Sequence, residues 1–244
     1  KAPGRTSIIS AKSSPPVPRS IWPLTCSAPT ALEAAATATP TCSAAFTSGL
    51  VSEGATVLLA GPIPSPAIAH LTRTMACDAG IMLTASHNPY ADNGIKIFGT
   101  DGYKLPDDLE DEIERILHDE SVAGPLAGAE IGKAMRVDDA VGRYIEAAKG
   151  AAGATSLDGM KVVVDCAHGA GYFVAPLVFE ELGAEVISHA TKPNGRNINE
   201  GCGALHPETA AKLVLEHGAD LGICLDGDAD RVIATDERGN IVDG

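Results

Sequence analysis

The chain has no long hydrophobic run and no excess of positive charge. No stretch of its 244 residues approaches the roughly 20 consecutive apolar side chains that a membrane-spanning helix requires, so we expect a soluble protein with no membrane partner. Lysine and arginine together number 18 against 32 aspartates and glutamates, which gives a formal charge of −14. Because clustered basic residues bind phosphate backbones, we expect no nucleic-acid partner. A small anionic substrate would need locally placed positive groups.

The sequence also lacks the cysteine spacing of a zinc or disulfide framework. None of its six cysteines forms a CxxC pair, and several lie in apolar runs that are typical of buried strands. Where the compartment keeps thiols reduced, such residues are small core side chains. We therefore expect a cytoplasmic protein with reduced thiols at Cys26, Cys42, Cys77, Cys166, Cys202 and Cys224.

Residues 1–44 differ in composition from the rest of the chain. They are rich in Ser, Thr, Pro and Ala, and their net charge of +3 leaves −17 for the remaining 200 residues. Since the segment shows little helical or strand periodicity, we expect it to be disordered or poorly packed and unable to supply a first strand to a sheet. A transit peptide is one explanation. A sequence artefact, such as a shifted reading frame, is the explanation that we favour.

From residue 45 onward, strand and helix patterns alternate. Apolar runs of strand length are followed by segments with apolar residues at helical spacing, which predicts an α/β fold with mixed, mostly parallel sheets. A Gly, Ala and Thr stretch at 150–155 indicates a linker. We therefore predict two consecutive α/β domains at 45–150 and 151–244, the first incomplete at its N-terminus. Predicted strands are 55–60, 79–84, 94–98, 161–165, 184–188, 220–225 and 231–235; predicted helices are 67–75 (capped by Ser65), about 107–117 (capped by Asp107), 138–149, 172–182 and 207–217.

Three alternate carboxylates follow the predicted strand 220–225. In an extended loop, the side chains of Asp226, Asp228 and Asp230 can converge on a hard cation, and Gly227 and Ala229 are small enough to let the backbone turn. Mg²⁺ prefers about six oxygen ligands, so three carboxylates leave room for a phosphate. A solvated acidic turn is the alternative, but three acids after a buried strand are costly without a cation. A calcium EF-hand is disfavoured because its required Gly and Glu are missing.

A second group of polar residues follows the predicted strand 79–84. Asn88 and Pro89 favour a rigid turn that can present the hydroxyl of Ser86. His87 is either a phosphate contact or a structural histidine, and Lys96 could stabilise negative charge or move a proton near a phosphate. An ordinary capping turn and an exposed strand lysine are the alternatives. Open α/β sheets place their chemistry at the carboxyl ends of strands, where both polar groups lie.

These segments resemble the α-D-phosphohexomutase family over about residues 45–244. The resemblance is carried by TASHNP at 84–89, DNGIK at 92–96, FGTDGYKL at 98–105 and DGDADR at 226–231. The third motif favours the glucosamine branch, with the mannose and glucose branches as alternatives. The fold that this resemblance implies is the first two of the family's four domains.

The resemblance also implies a site and a reaction. Ser86 would be the phosphoserine, and Asp226, Asp228 and Asp230 would bind Mg²⁺ together with its phosphate. His87, Lys96 and Arg231 would be further catalytic residues. The implied reaction is an isomerisation of a phosphosugar in carbohydrate metabolism that supplies a peptidoglycan precursor. Phosphoserine gives its phosphoryl group to glucosamine 6-phosphate, and a 1,6-bisphosphate then returns the other one. The resemblance is also compatible with a homodimer.

The chain departs from the family pattern at both ends. We expect the family's glycine-flanked arginine loop to be missing from residues 1–44, and its third and fourth domains, which read the sugar and grip its phosphate, to be missing after residue 244. Substrate-binding residues are therefore unassigned, and a fragment that binds Mg²⁺ without turnover is an alternative to an active enzyme.

Two other folds can be weighed against these motifs. A haloacid-dehalogenase-type phosphatase also places Asp-x-Asp after a strand, but too few residues follow Arg231 for its later motifs. A dinucleotide-binding turn could be drawn at 168–171, yet the third glycine of that fingerprint is Val174. The glycines there are better explained by a tight turn and close helix packing.

Overall fold

A computed structural model describes residues 30–35, 40–118, 128–153 and 155–243. Within these residues, the strands form two five-stranded sheets, one in each half of the chain. No helix among them is long and apolar enough to cross a bilayer. The predicted α/β fold with two successive units is therefore confirmed.

The first sheet has the strand order β4-β3-β1-β2-β5. Three of its four pairings are parallel, and only β3 with β4 is antiparallel. Helix α2 buries its apolar residues against one face, where Ile68 and Leu71 pack with Met82 of β3. The elements are β1 (Thr30–Ala35), α1 (Pro40–Ser52), β2 (Thr56–Leu59), α2 (Ser65–Thr74), β3 (Ala79–Thr84), β4 (Gly94–Phe98), α3 (Asp107–Leu117) and β5 (Lys133–Arg136).

Strand β1 corrects the prediction that residues 1–44 could not supply a strand. It lies at the centre of the first sheet, between β2 and β3, and Ala31 is completely buried there. The segment TALEAA has no apolar alternation, but a central strand with neighbours on both sides is stabilised by its backbone pairing and packing rather than by local preference. Residues 1–29 and 36–39 lie outside the described residues.

The second sheet has the strand order β10-β9-β8-β6-β7. The pairings of β6 with β7 and β8 are parallel, whereas β8, β9 and β10 form an antiparallel meander. The core side chains of β6 are fully buried, including Val162, Val163 and Val164. The elements are α4 (Ala140–Ala151), β6 (Lys161–Asp165), α5 (Val174–Glu181), β7 (Glu185–His189), α6 (Pro207–His217), β8 (Leu221–Leu225), β9 (Val232–Asp236) and β10 (Ile241–Val242), with short 3-10 turns at Gly128–Glu130 and Gly203–Leu205.

Most predicted elements from residue 55 onward are present, and their ends shift by a few residues. Helix α4 extends to Ala151, so the predicted linker at 150–155 begins inside a helix. The predicted side-chain caps are wrong, because neither Ser65 nor Asp107 makes a capping hydrogen bond and a proline precedes each helix. Sequence patterns also missed the edge strand β5, all of whose residues are exposed. The domain boundary at 150/151 stays a prediction.

Candidate active site

Two loops at the carboxyl ends of strands meet between the two sheets. The serine loop, residues 85–89, follows β3, and the metal loop, residues 226–231, follows β8. The hydroxyl of Ser86 donates a hydrogen bond to Oδ2 of Asp226 over 3.4 Å, although the two residues are 140 positions apart. The fold therefore brings together the two groups of polar residues that the sequence singled out.

The backbone of Ser86 is held in an unusual conformation. Its φ is +53°, in the left-handed region that costs a non-glycine residue about 1–3 kcal/mol. Its backbone N–H donates to the hydroxyl oxygen of Thr84 at 2.8 Å, and Thr84 is itself buried. The N–H of Asn88 closes the turn on the carbonyl oxygen of Ala85 at 2.9 Å. Surrounding structure thus fixes the direction of the serine side chain.

Neither His87, within the serine loop, nor the FGTDGYKL segment makes a hydrogen bond to the metal loop among the described residues. Nδ1 of His87 is buried and has no hydrogen-bond partner among the described residues. The segment after β4 turns back on itself, with the N–H of Gly99 donating to the carbonyl oxygen of Tyr103 at 2.8 Å. Tyr103 is 76% exposed. The structure therefore places neither feature in hydrogen-bond contact with the metal loop.

The three aspartates of the metal loop form a compact cluster. One carboxylate oxygen from each of Asp226, Asp228 and Asp230 lies within 4.8 Å of the others. Asp226 and Asp228 are almost completely buried, at 1% and 0% exposure, whereas the side chain of Asp230 is 34% exposed. Burial of two like charges is unfavourable in the absence of a compensating cation.

Asp228 is held on one side and open on the other. Its Oδ2 accepts hydrogen bonds from the hydroxyl of Ser65 and from the ammonium group of Lys96, the latter at 2.6 Å. Its Oδ1 is buried and has no partner among the described residues. A buried carboxylate oxygen without a donor is rare in folded proteins, and a cation at this position would satisfy it.

Asp226 shows the electrostatic consequence of this crowding. Burial, followed by repulsion from Asp228 and Asp230, raises the pKa of Asp226 to about 6. Its Oδ1 accepts backbone hydrogen bonds from Asp230 at 3.1 Å and Arg231 at 3.2 Å. The loop backbone thus curls around this carboxylate and directs Oδ2 towards Ser86.

Two cations flank the cluster at different depths. Lys96 spans Asp228 and Asp230, with its Nζ 2.6 Å from a carboxylate oxygen of each. Burial by itself would lower the pKa of Lys96, but the two aspartates outweigh it and raise that pKa above its ordinary value. The side chain of Arg231 is 59% exposed and lies 4.0 Å from Asp230. Lys96 is therefore part of the cluster, and Arg231 stands at its rim.

Glycines allow the loops to approach closely. A Cβ atom on Gly227 would lie 2.3 Å from the carbonyl oxygen of Ser86, and one on Gly169 would lie 2.1 Å from the carbonyl oxygen of Gly227. The N–H of Ala170 donates to that same oxygen at 2.7 Å. The 168–171 glycines form the predicted tight turn, but the close neighbour of Gly169 is the metal loop and not a helix.

Sequence patterns missed three residues that hold the site. Ser65 was interpreted as a helix cap, whereas its hydroxyl and N–H both bond residue 228, the N–H at 2.9 Å from the carbonyl oxygen. Thr84 ends a buried strand and carried no separate signal. The side chain of Asn199 reaches the carbonyl oxygens of Ser86 and Asn88, at 2.8 and 2.9 Å. The roles of Ser65 and Asn199 depend on contacts between residues more than 100 positions apart.

The donor set fits a hard divalent cation. Three carboxylates and the Lys96 ammonium leave two net negative charges when all are ionised, and the unpartnered Oδ1 of Asp228 adds an oxygen that needs a positive partner. Carboxylate oxygens are the ligands that Mg²⁺ prefers. No cysteine or histidine belongs to this cluster.

The five cysteines in the described part of the chain form no disulfide.

Most of the chain matches known protein-family models. Residues 37–123 match the family model for phosphoglucomutase/phosphomannomutase alpha/beta/alpha domain I, and residues 142–239 match the model for domain II. The chain belongs to the phosphoglucomutase/phosphomannomutase family. A crystal structure of a family protein from Burkholderia thailandensis shares this fold, with a TM-score of 0.76 at 24% identity, covering 88% of this chain and 48% of that one.

Curated relatives of this family are more similar in sequence. A phosphoglucosamine mutase of Anaeromyxobacter dehalogenans (strain 2CP-C) is 56% identical over 212 residues, which cover 82% of this chain and 46% of the relative. A phosphoglucosamine mutase of Sorangium cellulosum (strain So ce56) is 58% identical over 202 residues, covering 82% and 42%. The chain therefore spans less than half the length of these relatives.

Proposed function

We propose that this chain carries the phosphoserine and metal-binding part of a phosphoglucosamine mutase, an isomerase that interconverts glucosamine 6-phosphate and glucosamine 1-phosphate. The observation that carries the proposal is the hydroxyl of Ser86, 3.4 Å from Oδ2 of Asp226 at the edge of a three-carboxylate cluster. The similarity to phosphoglucosamine mutases supports the choice of sugar. We further propose that the protein acts in the cytoplasm, where its buried thiols stay reduced.

Each proposed step transfers one phosphoryl group. In the first step, the 1-hydroxyl oxygen of glucosamine 6-phosphate bonds to the phosphorus of phospho-Ser86 as the bond from phosphorus to Oγ breaks, and the proton of that hydroxyl is transferred to Oγ. In the second step, Oγ gives up this proton and bonds to the phosphorus at position 6 of the resulting 1,6-bisphosphate, while the bond from that phosphorus to the sugar oxygen breaks and the oxygen takes up the proton. Glucosamine 1-phosphate leaves, and Ser86 carries phosphate again. The left-handed backbone of Ser86 fixes the direction of the Cα–Cβ bond that carries Oγ in both steps.

The proposed metal is Mg²⁺, held by Asp226, Asp228, Asp230 and the phosphate on Ser86. When bound, it would neutralise charge on the transferring phosphoryl group and orient that group. Lys96 stays protonated beside two aspartates and offers positive charge or a proton to a sugar oxygen. Arg231, exposed at the rim of the cluster, would attract the anionic substrate, and His87 stays a proposed catalytic residue of the serine loop.

Phosphate uptake on the serine tests the proposal directly. The chain would be incubated with Mg²⁺ and glucosamine 1,6-bisphosphate and analysed by intact mass and peptide mapping. We expect phosphate on Ser86, none in Ser86→Ala and normal uptake in the control Ser48→Ala, which changes an exposed serine of α1. Phosphate on another residue, or none at all, would contradict the proposal.

The sugar specificity is tested by comparing mutase rates with three sugar phosphates. Conversion of glucosamine 6-phosphate to glucosamine 1-phosphate would be compared with the equivalent glucose and mannose reactions, each with its bisphosphate activator. We expect the glucosamine reaction to be fastest. A faster mannose or glucose reaction would instead support a phosphomannomutase or phosphoglucomutase. Bound Mg²⁺ with no phosphate transfer to any of the three would indicate a metal-binding chain without turnover.

A further inference from the structure

We propose that Asn199 is a positioning residue for phosphoryl transfer at Ser86, an inference that rests on the proposed function. Asn199 belongs to the half of the chain that carries the metal loop, but its side-chain nitrogen donates to two carbonyl oxygens of the serine loop. The distances are 2.8 Å to Ser86 and 2.9 Å to Asn88. Both protons of the amide are therefore used to hold a loop that belongs to the other sheet.

Asn199 is itself firmly placed. Only 8% of the residue is exposed, and its N–H donates to the carbonyl oxygen of Ala167 at 2.9 Å. Its φ is +59°, in the left-handed region that asparagine tolerates better than most residues. The amide group is thus offered from a fixed backbone and loses little further freedom when it binds the serine loop.

The contact acts on the residue that would carry the phosphate. The N–H of Ser86 donates to the hydroxyl oxygen of Thr84, and the carbonyl oxygen of Ser86 accepts a hydrogen bond from the side chain of Asn199. With both backbone polar groups fixed and φ at +53°, the main freedom left to Ser86 is rotation about its side-chain bond. The bond from Asn199 therefore helps to maintain a strained backbone that aims Oγ at the metal loop.

Packing beside Asn199 shows that the segment also sets the spacing of the two loops. A Cβ atom on Gly227 would lie 2.4 Å from the side chain of Ile198 and 2.3 Å from the carbonyl oxygen of Ser86. Residues 198–199 thus touch the metal loop through Ile198 and the serine loop through Asn199. Loss of the Asn199 side-chain amide would release the serine loop from residues 198–199. The contact between Ile198 and the metal loop, and the three aspartates, would stay in place.

A matched set of variants tests the inference. Asn199→Asp keeps the size of the side chain but removes both donors, and Asn199→Gly removes the side chain without adding charge while permitting the left-handed backbone. Asn197→Asp is the control, because the side chain of Asn197 donates to the carbonyl oxygen of Lys192 in the same segment and makes no bond to Ser86. Equal Mg²⁺ protection against thermal unfolding would show that each variant is folded with an intact metal loop.

The first measurement is the single-turnover rate of Ser86 phosphorylation by glucosamine 1,6-bisphosphate. In both Asn199 variants we expect the rate at saturating bisphosphate to fall by about 10- to 100-fold, the scale of an ångström-sized misplacement, with little change in the half-saturating concentration. Asn197→Asp should stay within about twofold of the wild-type chain. A wild-type rate in Asn199→Gly would overturn the inference, because any slowing in Asn199→Asp would then come from its charge.

The second measurement separates this inference from the proposed function. Amide hydrogen exchange of residues 85–88 reports the contact without any phosphate donor. We expect faster exchange in both Asn199 variants and unchanged exchange in Asn197→Asp. If the wild-type chain takes up no phosphate, the proposed function fails on its own. Unchanged exchange in the Asn199 variants overturns the positioning role in either case.

Discussion

The serine loop and the metal loop both follow a buried strand, but they are stabilised in different ways. The serine loop is half-buried, and hydrogen bonds to Thr84 and Asn199 hold its strained backbone. The metal loop instead buries two carboxylates, one of which has a raised pKa and the other an oxygen without a partner. The serine loop is thus ordered by neutral contacts, whereas the metal loop is left with uncompensated charge.

Each loop is also fixed from the opposite sheet. Ser65 and Lys96, both in the first half of the chain, bond Asp228 in the second. Asn199 in the second half bonds Ser86 in the first. Because each half of the chain donates hydrogen bonds to the loop of the other half, neither loop has all its hydrogen-bond partners within its own half. The site is therefore a property of the packed pair of sheets.

The largest expected effect comes from removing the most buried carboxylate. Asp228→Ala should abolish the protection that Mg²⁺ gives against thermal unfolding, a stabilisation of about 2.7 kcal/mol for the wild-type chain at 100 times the dissociation constant. Asp243→Ala, which changes an exposed acid, is the control and should keep the full shift. Unchanged protection in Asp228→Ala would show that the cluster is not the metal site.

The uncompensated charge predicts a pH dependence for the metal-free chain. Because the folded pKa of Asp226 is raised to about 6, the folded state binds this proton more tightly than the unfolded state, and stability falls as the pH rises from about 4 to about 6. We expect a loss of about 2–3 kcal/mol across this window, measured by urea unfolding with a chelator present.

The control for this experiment is Asp226→Asn, which removes the titrating group and should remove that part of the loss. Saturating Mg²⁺ should also flatten the curve of the wild-type chain, since a bound cation favours the ionised carboxylate. Identical pH profiles for the wild-type and Asp226→Asn chains would contradict the assignment of uncompensated charge to the metal loop.

A smaller loss of stability is expected when the hydrogen bond from Ser65 to Asp228 is removed. Ser65→Ala removes a buried hydrogen bond to a carboxylate and should lower the free energy of unfolding by about 1.5 kcal/mol, together with a weaker response to Mg²⁺. Ser65→Thr keeps the hydroxyl and serves as the conservative control. Mg²⁺ affinity, measured by titration calorimetry, should drop in the alanine variant alone. Equal affinities would reduce Ser65 to a packing residue.

The smallest effect is expected in the serine loop. Thr84→Val keeps the shape of the side chain but leaves the N–H of Ser86 without its acceptor, so we expect a loss of about 1 kcal/mol in urea unfolding with an unchanged Mg²⁺ response. Thr235→Val is the matched control: the hydroxyl of Thr235 is buried and has no partner among the described residues, so its removal should cost nothing. A changed Mg²⁺ response in Thr84→Val would show that the two loops are not stabilised separately.

Local sequence pattern was sufficient for elements that have a strong apolar signal. Strands β3, β4 and β6 and helix α6 have the predicted bounds, because their apolar residues form a short strand-length run or follow helical spacing between clear turn residues. Strand β1 has no such signal and exists through pairing with β2 and β3. Its place at the centre of a sheet could not be predicted from TALEAA alone.

The sequence by itself determined the chemistry of the site: a serine in a rigid turn and three alternate aspartates, each just past a strand end, and a lysine within β4. Tertiary structure alone decided how these groups are held. Ser65 bonds Asp228 across 163 positions, and Asn199 bonds Ser86 across 113. Carboxylates and hydroxyls can be recognised from residue type and local spacing. Which donor satisfies which acceptor depends on how the two sheets pack, a contact that no local pattern contains.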